Sequence, residues 1–289
     1  MFVITGATGN VGSELVRILA AAGEPVTAVS RRAPEHALPE GVRHHRADLA
    51  EPQSLRPALE GAGALFLLVA GEDPRSVLEL AAAGGVRRVV LLSSQGVGTR
   101  PEQYRHPAAF EEAVRRSGLE RTVLRSGGLD SNAFAWAGSI RAHRTAAAPF
   151  GDVGLPVVDP ADVAEVAAAV LRSGGGAGTG AGTGAGIGGG PHAGATYELT
   201  GPVPVTPRER AEAIAGAIGE PVRFVEQSPE EARAQMLTFM PEPAVEGTLA
   251  ILGAPVAAER AVSPAVERIL GRAPRPFAAW ADRAAPAFR

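Results

Sequence analysis

The sequence predicts an α/β fold, a doubly wound parallel sheet of the Rossmann type with a small α+β lobe at the C-terminal end. Three observations predict it. A short apolar run at the start passes directly into three glycines at three-residue spacing, Gly6, Gly9 and Gly12, and then into a helical pattern. Through the first half, short apolar runs alternate with helical stretches, which implies parallel strands covered by helices on both faces. After a Gly/Ala/Thr tract at 173–194 the pattern becomes short strands and strongly capped helices.

The elements follow in order. Residues 2–5 (FVIT) read as a buried strand and 10–22 as a helix with Val11, Leu15, Ile18 and Leu19 on one side. Strands are expected at 25–30, 42–47, 64–69, 88–92 and 121–125, with helices at 52–59, 74–83 and 108–117. Right-handed crossovers make such an order doubly wound. Asp159-Pro160-Ala161-Asp162 opens a helix to 171, with an acid at the cap and proline at the first helical position. The glycine tract has little side chain to bury and much entropy to lose, so it reads as a flexible loop. Its other reading, a phosphate loop, lacks a feeding strand and a terminal Lys-Ser/Thr. Beyond it, 196–199 reads as a strand. Thr206 with Glu209 and Ser228 with Glu231 form capping boxes that open helices at 207–218 and 228–240, with a short strand at 222–225. The expected division is a dinucleotide-binding domain at 1–150 extended by a helix in 151–172, a glycine-rich loop at 173–195, and a small substrate lobe at 196–289.

Composition narrows the chemistry. With 289 residues and 45% apolar content the chain can bury a full core. It has no cysteine, which excludes disulfides, a thiol nucleophile and a thiolate metal site. All 28 Lys+Arg positions are arginine, so no step can use a lysine. The net charge of −3 provides no basic field for nucleic acid. No basic segment with an apolar core precedes the first strand, and no apolar run reaches the roughly 18 residues of a membrane span. The expectation is a cytoplasmic protein with no membrane partner. His44 and His45 point to opposite faces of one strand. The histidines at 36, 106, 143 and 192 have no ligand spacing, so no metal is expected.

The glycines name a ligand because of where they sit. At a strand-to-helix junction they allow a tight bend and close approach of backbone to a pyrophosphate, and the helix N-terminus offers that anion N–H groups and a positive dipole end. Gly6, Thr8, Gly9, Asn10, Val11 and Gly12 are the candidate contacts. The second strand ends Ser30-Arg31-Arg32 with no acid. Paired guanidinium groups suit the 2′-phosphate of NADP(H), whereas an acid there would select NAD(H). NADP(H) is therefore the expected cofactor and NAD(H) the other form; two solvated surface arginines are the plain alternative. Asp48 and Leu49 follow the third strand, where side chains reach an adenine. Val69 and Ala70 end the fourth, where backbone lies along the cofactor. The fifth strand ends Ser93-Ser94-Gln95. Ser93 is a candidate for cofactor contact and catalysis, and Ser94 and Gln95 for the substrate pocket; capping of the strand is the structural alternative.

These residues resemble a known group. GATGNVG, the arginine pair after strand two, VVLLSSQGVG, GLERTVLRSGGLDSNAF, VVDPADVAEVAAAVL, YELTGP, VTPRERAEAIAGAIGEPVRFV and the closing PRPFAAWADRAAPAF are similar to the NmrA-like branch of the atypical short-chain dehydrogenase/reductases. The resemblance covers nearly the whole chain. It implies a Rossmann domain, a small substrate lobe with a closing helix, and a nicotinamide cofactor, usually NADP(H). Two departures stand out. The Tyr-x-x-x-Lys pair of typical short-chain reductases is absent, because Tyr104 is followed four places on by Ala108. The Leu-Arg-Pro usual after strand six is Leu124-Arg125-Ser126. Where many NmrA-like members carry a lysine or histidine before a Glu-Glu helix, this chain has His106. Tyr104, His106 and Ser93 are the candidate catalytic residues, with a solvated loop histidine as the alternative for His106. Asn132, in the family's asparagine position, is expected to line the substrate site.

Two functional classes remain open at this level. The first is an NADP(H)-dependent oxidoreductase for an aromatic, quinone-like or polyketide-type small molecule. Such an acceptor delocalises the anion that hydride transfer creates and so tolerates the missing pair. Phe134, Trp136, Met236, Phe239 and Met240 would supply its apolar wall, or else the core of the lobe. By resemblance this class extends to a tailoring oxygenation in aromatic polyketide biosynthesis. The second is a non-catalytic NAD(P) sensor with a regulatory protein partner. A homodimer is compatible with either.

Overall fold

The computed structural model describes residues 1–34, 37–173 and 190–289. The centre of the glycine tract, and with it the expected loop at 174–189, lies outside these. The strands are β1 (Phe2–Thr5), β2 (Val26–Ser30), β3 (Arg43–Arg46), β4 (Ala64–Leu68), β5 (Arg88–Ser94), β6 (Glu120–Ser126), β7 (Thr145–Ala148), β8 (Thr196–Leu199) and β9 (Arg223–Glu226). Seven form one parallel sheet in the order β3-β2-β1-β4-β5-β6-β8. Phe2 pairs with both Val26 and Ala64, so β1 is central. All five residues of β2 are buried, as a parallel strand covered on both faces requires. β3, with the sequence RHHR, is the half-exposed edge. Every strand expected in this sheet is present within a residue or two.

The chain forms two compact units: Met1–Ser93, His106–Arg125 and Val163–Tyr197 in the first, and Ser94–Arg105, Ser126–Asp162 and Glu198–Arg289 in the second. This differs from a division at residue 150. The segments that follow β5 and β6 group with C-terminal residues.

In the first unit, Val3, Leu65, Leu67, Val89 and Leu91 from the strands pack with Leu55, Leu59, Val77, Leu78, Phe110 and Val114 from the helices. The Asn10–Ala21 helix buries Val11, Gly12, Leu15, Val16 and Leu19. Ile18, expected on that face, is only half-buried. The buried stripe runs through 11, 15 and 19 and widens toward 12 and 16, which leaves position 18 at its border.

The second unit has its own core of Trp136, Ile140, Ile214, Ile218, Phe277, Trp280 and Phe288. Both expected capping boxes are formed, Thr206 with Glu209 and Ser228 with Glu231. The Pro229–Met236 helix stops before the expected residue 240, and a further helix, Glu242–Gly253, starts after Pro241. β9 pairs in parallel with β7. The TAAA sequence of β7 has one β-branched residue and no alternation, too little to announce a strand. The expected closing helix is Phe277–Ala284.

Candidate functional site

The turn after β1 is built around bare backbone. Gly6 has φ +64°, a conformation that favours glycine, and a Cβ there would collide with Leu68 Cδ1. A Cβ on Gly12 would lie 2.7 Å from the Gly6 carbonyl carbon, so the first helical turn rests directly on the bend. Gly9 caps the Asn10–Ala21 helix without any side-chain hydrogen bond, and the first turn holds no acid. The positive end of this helix is thus left for an anion. Thr5 fixes the bend to the sheet: its buried hydroxyl donates to Phe66 O at 2.9 Å and accepts from Leu68 N at 3.0 Å.

A cleft of about 430 Å³ opens at the carboxyl ends of β1, β2, β3 and β4. Gly6, Thr8, Gly9, Arg31, Asp48, Leu49 and Ala70 line it, as do Ser30 and Gly71. Seven of the expected cofactor residues are therefore gathered in one place. Val11 and Gly12 are buried beneath the turn and support it from below. Val69 packs against the core cluster instead of lining the cleft. Asn10 opens the helix. Gly71, with φ +78°, was not singled out as a site residue; a Cβ there would lie 2.7 Å from the Leu49 carbonyl carbon. The Asp48 carboxylate accepts from Ala50 N at 3.0 Å, so the acid shapes its own loop.

Arg31 and Arg32 lie exposed just past β2. The Ser30 hydroxyl donates to Arg32 O at 2.6 Å, which folds the chain back at this point. Arg46, which sequence reasoning missed, donates from Nε to Arg31 O at 3.1 Å, because the β2–β3 register sets Ser30 opposite Arg46. Among the described residues no carboxylate pairs with Arg31, Arg32 or Arg46. Three guanidinium groups at the ends of β2 and β3, with no counter-charge among the described residues, suit a phosphate.

The remaining candidates of the first unit have structural partners. Ser93 is buried, and its hydroxyl donates to Glu111 Oε1 at 2.6 Å. Arg125 holds the same carboxylate at 2.7 Å. This Ser93–Glu111–Arg125 chain joins β5 and β6 to the Arg105–Arg116 helix and gives the Ser93 hydroxyl a structural partner. His106 lies in the first turn of that helix, not in a loop. Its Nε2 is 2.8 Å from Gly71 O and 3.7 Å from Glu72, and its ring meets Phe110 edge-on. It braces the loop that carries Gly71.

In the second unit, the Tyr104 ring is seated against Gly96, where a Cβ would lie 2.5 Å from Tyr104 Cε1, and the Ser94 hydroxyl oxygen accepts from Gly96 N at 3.2 Å. Burial pushes the Tyr104 phenol above its ordinary value. Gln95 Nε2 donates to Ala258 O at 3.1 Å. Asn132 is exposed on the 3₁₀ turn Asp130–Trp136. Of the expected wall residues, Trp136 belongs to the core and Phe134 lies at its edge. Trp136 is buried with its indole N–H donating to Ala147 O at 2.8 Å, and Phe134 packs against Trp280 and Phe288. Their aromatic bulk closes the small lobe, although Phe134 keeps 38% of its surface exposed. Phe239 is 69% exposed.

Sequence reasoning also missed Asp130. It is fully buried, and neither carboxylate oxygen has a hydrogen-bond partner. Burial first, and then the charge of Asp159, push it up to about 7. Arg210, buried over the Trp136 ring, faces it with Nε unpartnered, and burial drives that guanidinium down to about 10. No residue spacing marks this pair, which comes together only through folding.

A glycine turn and an open helix N-terminus on a 3-2-1-4-5-6 sheet define a dinucleotide-binding α/β protein. A family model described as NAD(P)H-binding matches residues 6–173, and the chain belongs to that family. It is 35% identical over 297 residues to the (4-alkanoyl-5-oxo-2,5-dihydrofuran-3-yl)methyl phosphate reductase of Streptomyces griseus subsp. griseus, covering 100% of this chain and 99% of the relative. It is 30% identical over 301 residues to the NAD(P)H azoreductase of Xenophilus azovorans, again covering 100% and 99%. The crystal structure of an NADPH-dependent quinone oxidoreductase from Escherichia coli, complexed with NADPH, matches with a TM-score of 0.74 at 23% identity, covering 98% of this chain and 99% of that one. The chain is of the NAD(P)H-dependent oxidoreductase class. Among the described residues no three His, Cys, Asp or Glu side chains are grouped to hold a metal, and no helix is long and apolar enough to cross a membrane.

Proposed function

We propose that this protein is an NADPH-dependent reductase of conjugated acceptors, placed in the NmrA-like branch by the motifs that resemble it. The observation that carries the cofactor choice is the cleft itself, where Arg31 stands beside Gly6 and Gly9 and no acid ends β2. Gly6, Thr8 and Gly9 with the first turn of the Asn10–Ala21 helix would hold the pyrophosphate. Arg31, with Arg32 and Arg46 beside it, would hold a 2′-phosphate. Asp48 and Leu49 would flank the adenine. NADPH, when bound, supplies a hydride.

The substrate class rests on chemistry shared by the relatives. An azo group, a quinone and an acyl-dihydrofuranone each present an unsaturated bond in conjugation with acceptor groups. Hydride addition to such a bond gives an anion that the substrate itself delocalises. A chain without lysine, and hence without a Tyr-x-x-x-Lys pair, is suited to that task and not to reducing an isolated ketone. An aromatic polyketide intermediate is one member of this class.

The test measures NADPH loss against a panel of quinones, azo dyes, acyl butenolides and simple ketones. Turnover of conjugated acceptors with little on simple ketones is expected. NADPH that binds in a calorimeter but is consumed with no acceptor would overturn the reading in favour of a sensor.

A further inference from the structure

Two residues of the edge strand β3 hold the turn that carries the arginines at the end of β2. The β2–β3 register sets Ala28 opposite His44 and Ser30 opposite Arg46, so His44 and Arg46 project from the same face of the sheet as Ser30. His45 projects from the other face, where its Nε2 meets Ser54 O at 3.0 Å. These residues, and the cleft that Ser30 and Arg31 line, all belong to the first unit.

Each of the two secures one carbonyl of the turn. Arg46 donates from Nε to Arg31 O at 3.1 Å. His44 acts through Ser30, whose side chain is buried. The Ser30 hydroxyl lies 2.6 Å from Arg32 O and 2.8 Å from His44 Nε2. A carbonyl only accepts, so the single hydroxyl proton goes to Arg32 O. His44 Nε2 must then carry a hydrogen and donate it to Ser30 Oγ. This direction holds for a neutral ring with its hydrogen on Nε2 and for the imidazolium alike. The carbonyls of two consecutive residues are thus turned to β3, which fixes the backbone from which the Arg31 and Arg32 side chains leave. Arg46 spends only Nε on this task, and its Nη groups have no hydrogen-bond partner among the described residues.

We propose that His44 is a positioning residue for the 2′-phosphate of NADPH: through the Ser30 hydroxyl it holds the backbone of Arg31 and Arg32, and so sets the preference for NADPH over NADH. This rests on the cofactor choice proposed above. A guanidinium recognises phosphate as a planar fork, which rewards direction as well as distance. Arg31 and Arg32 are exposed, so side-chain packing does not supply that direction. The anchored carbonyls do. The pyrophosphate and adenine contacts proposed above use the glycine turn and the segment after β3. Loosening the end of β2 therefore falls on the 2′-phosphate and spares the rest of the cofactor.

The test compares wild type, His44→Leu, His44→Gln, Ser30→Ala and the His44→Leu/Ser30→Ala double variant. Calorimetry reads the dissociation constants of NADPH and NADH, and of the fragments adenosine 2′,5′-bisphosphate and 5′-AMP; melting curves check that each variant is folded. His44→Leu should weaken NADPH and the bisphosphate by about fivefold to tenfold, the scale of one net hydrogen bond, and leave NADH and 5′-AMP unchanged. His44→Gln, which keeps an N–H donor, should retain most of the preference. Ser30→Ala should match His44→Leu, and the double variant should cost nothing beyond either. Equal weakening of NADPH and NADH would mark a merely structural role and overturn the assignment. An unchanged NADPH-to-NADH ratio would overturn it too, and if His44→Leu fails to fold, the ratio in Ser30→Ala decides. A wild-type protein that binds NADPH no more tightly than NADH would overturn the cofactor choice and this assignment with it.

Discussion

Asp130→Asn should change how the second unit's stability depends on pH. The folded carboxyl is held at about 7, against 3.8 for the free group, by burial and by Asp159 and Asp162, with Arg210 and Arg283 opposing. In the folded state it therefore stays protonated at pH values where the unfolded chain has already lost the proton. Stability is full below about pH 4, falls as pH rises toward about 7, and is flat beyond. At about 1.36 kcal/mol per pH unit the whole fall is worth about 4 kcal/mol, of which about 3 kcal/mol lies between about pH 5 and about pH 8. Asparagine matches the neutral acid in shape and carries no charge at any pH. The variant should equal or exceed wild type in stability above neutrality and lose this part of the pH dependence. Urea unfolding followed by tryptophan fluorescence provides the assay, since both tryptophans, Trp136 and Trp280, lie in the core of the second unit. Parallel stability–pH curves for the two proteins over that range would refute the reasoning. They would mean that Asp130 is ionised in the folded state and matched by Arg210.

Two further predictions concern the cleft. Arg31→Ala should weaken NADPH binding by about tenfold to a hundredfold, the worth of charge-assisted hydrogen bonds, while NADH binding changes little; both are read by fluorescence titration. Gly12→Ala drives a Cβ against the backbone carbonyl of Gly6, which has no flexible side chain to yield, so the helix must lift off the bend. It should cost about 1–3 kcal/mol in thermal stability and abolish measurable NADPH binding, and unchanged titration curves would count against the site.

The first unit was legible because its signals are local. Glycine spacing, β-branched runs and amphipathic periods each act within one element, and the parallel sheet follows from their alternation. Seven cofactor residues could be named for the same reason: a turn and the ends of three strands carry them. Arg46 escaped because its place beside Arg31 depends on the β2–β3 register, which no local pattern announces. The second unit was harder. β7 has the sequence TAAA and owes its pairing to β9, far along the chain. Trp136 was expected on a substrate wall because aromatic residues serve cores and pockets alike, and only the bond to Ala147 O decides between them. His106 reads as a loop histidine in the sequence, yet it lies in the first turn of the Arg105–Arg116 helix, where Pro107 is well placed.

The absence of lysine links the two halves of the functional argument. Every cationic side chain with a pKa above that of histidine is here a guanidinium, which does not release its proton near neutrality, and Arg100, Arg272 and Arg283 pair with the buried carboxylates of Glu259, Asp162 and Asp159. The Arg100 charge pulls the Tyr104 phenol downward, but a guanidinium has no proton to relay. In Tyr104, burial acts in the opposite direction and keeps the phenol neutral. A neutral donor is poorly matched to a localised alkoxide, whose formation demands a proton at once. It is well matched to a delocalised enolate or hydroquinone anion, which needs only a hydrogen bond held in place until solvent protonates it. The same lysine-free composition that removes the usual carbonyl-reductase pair is therefore consistent with the conjugated acceptors proposed above.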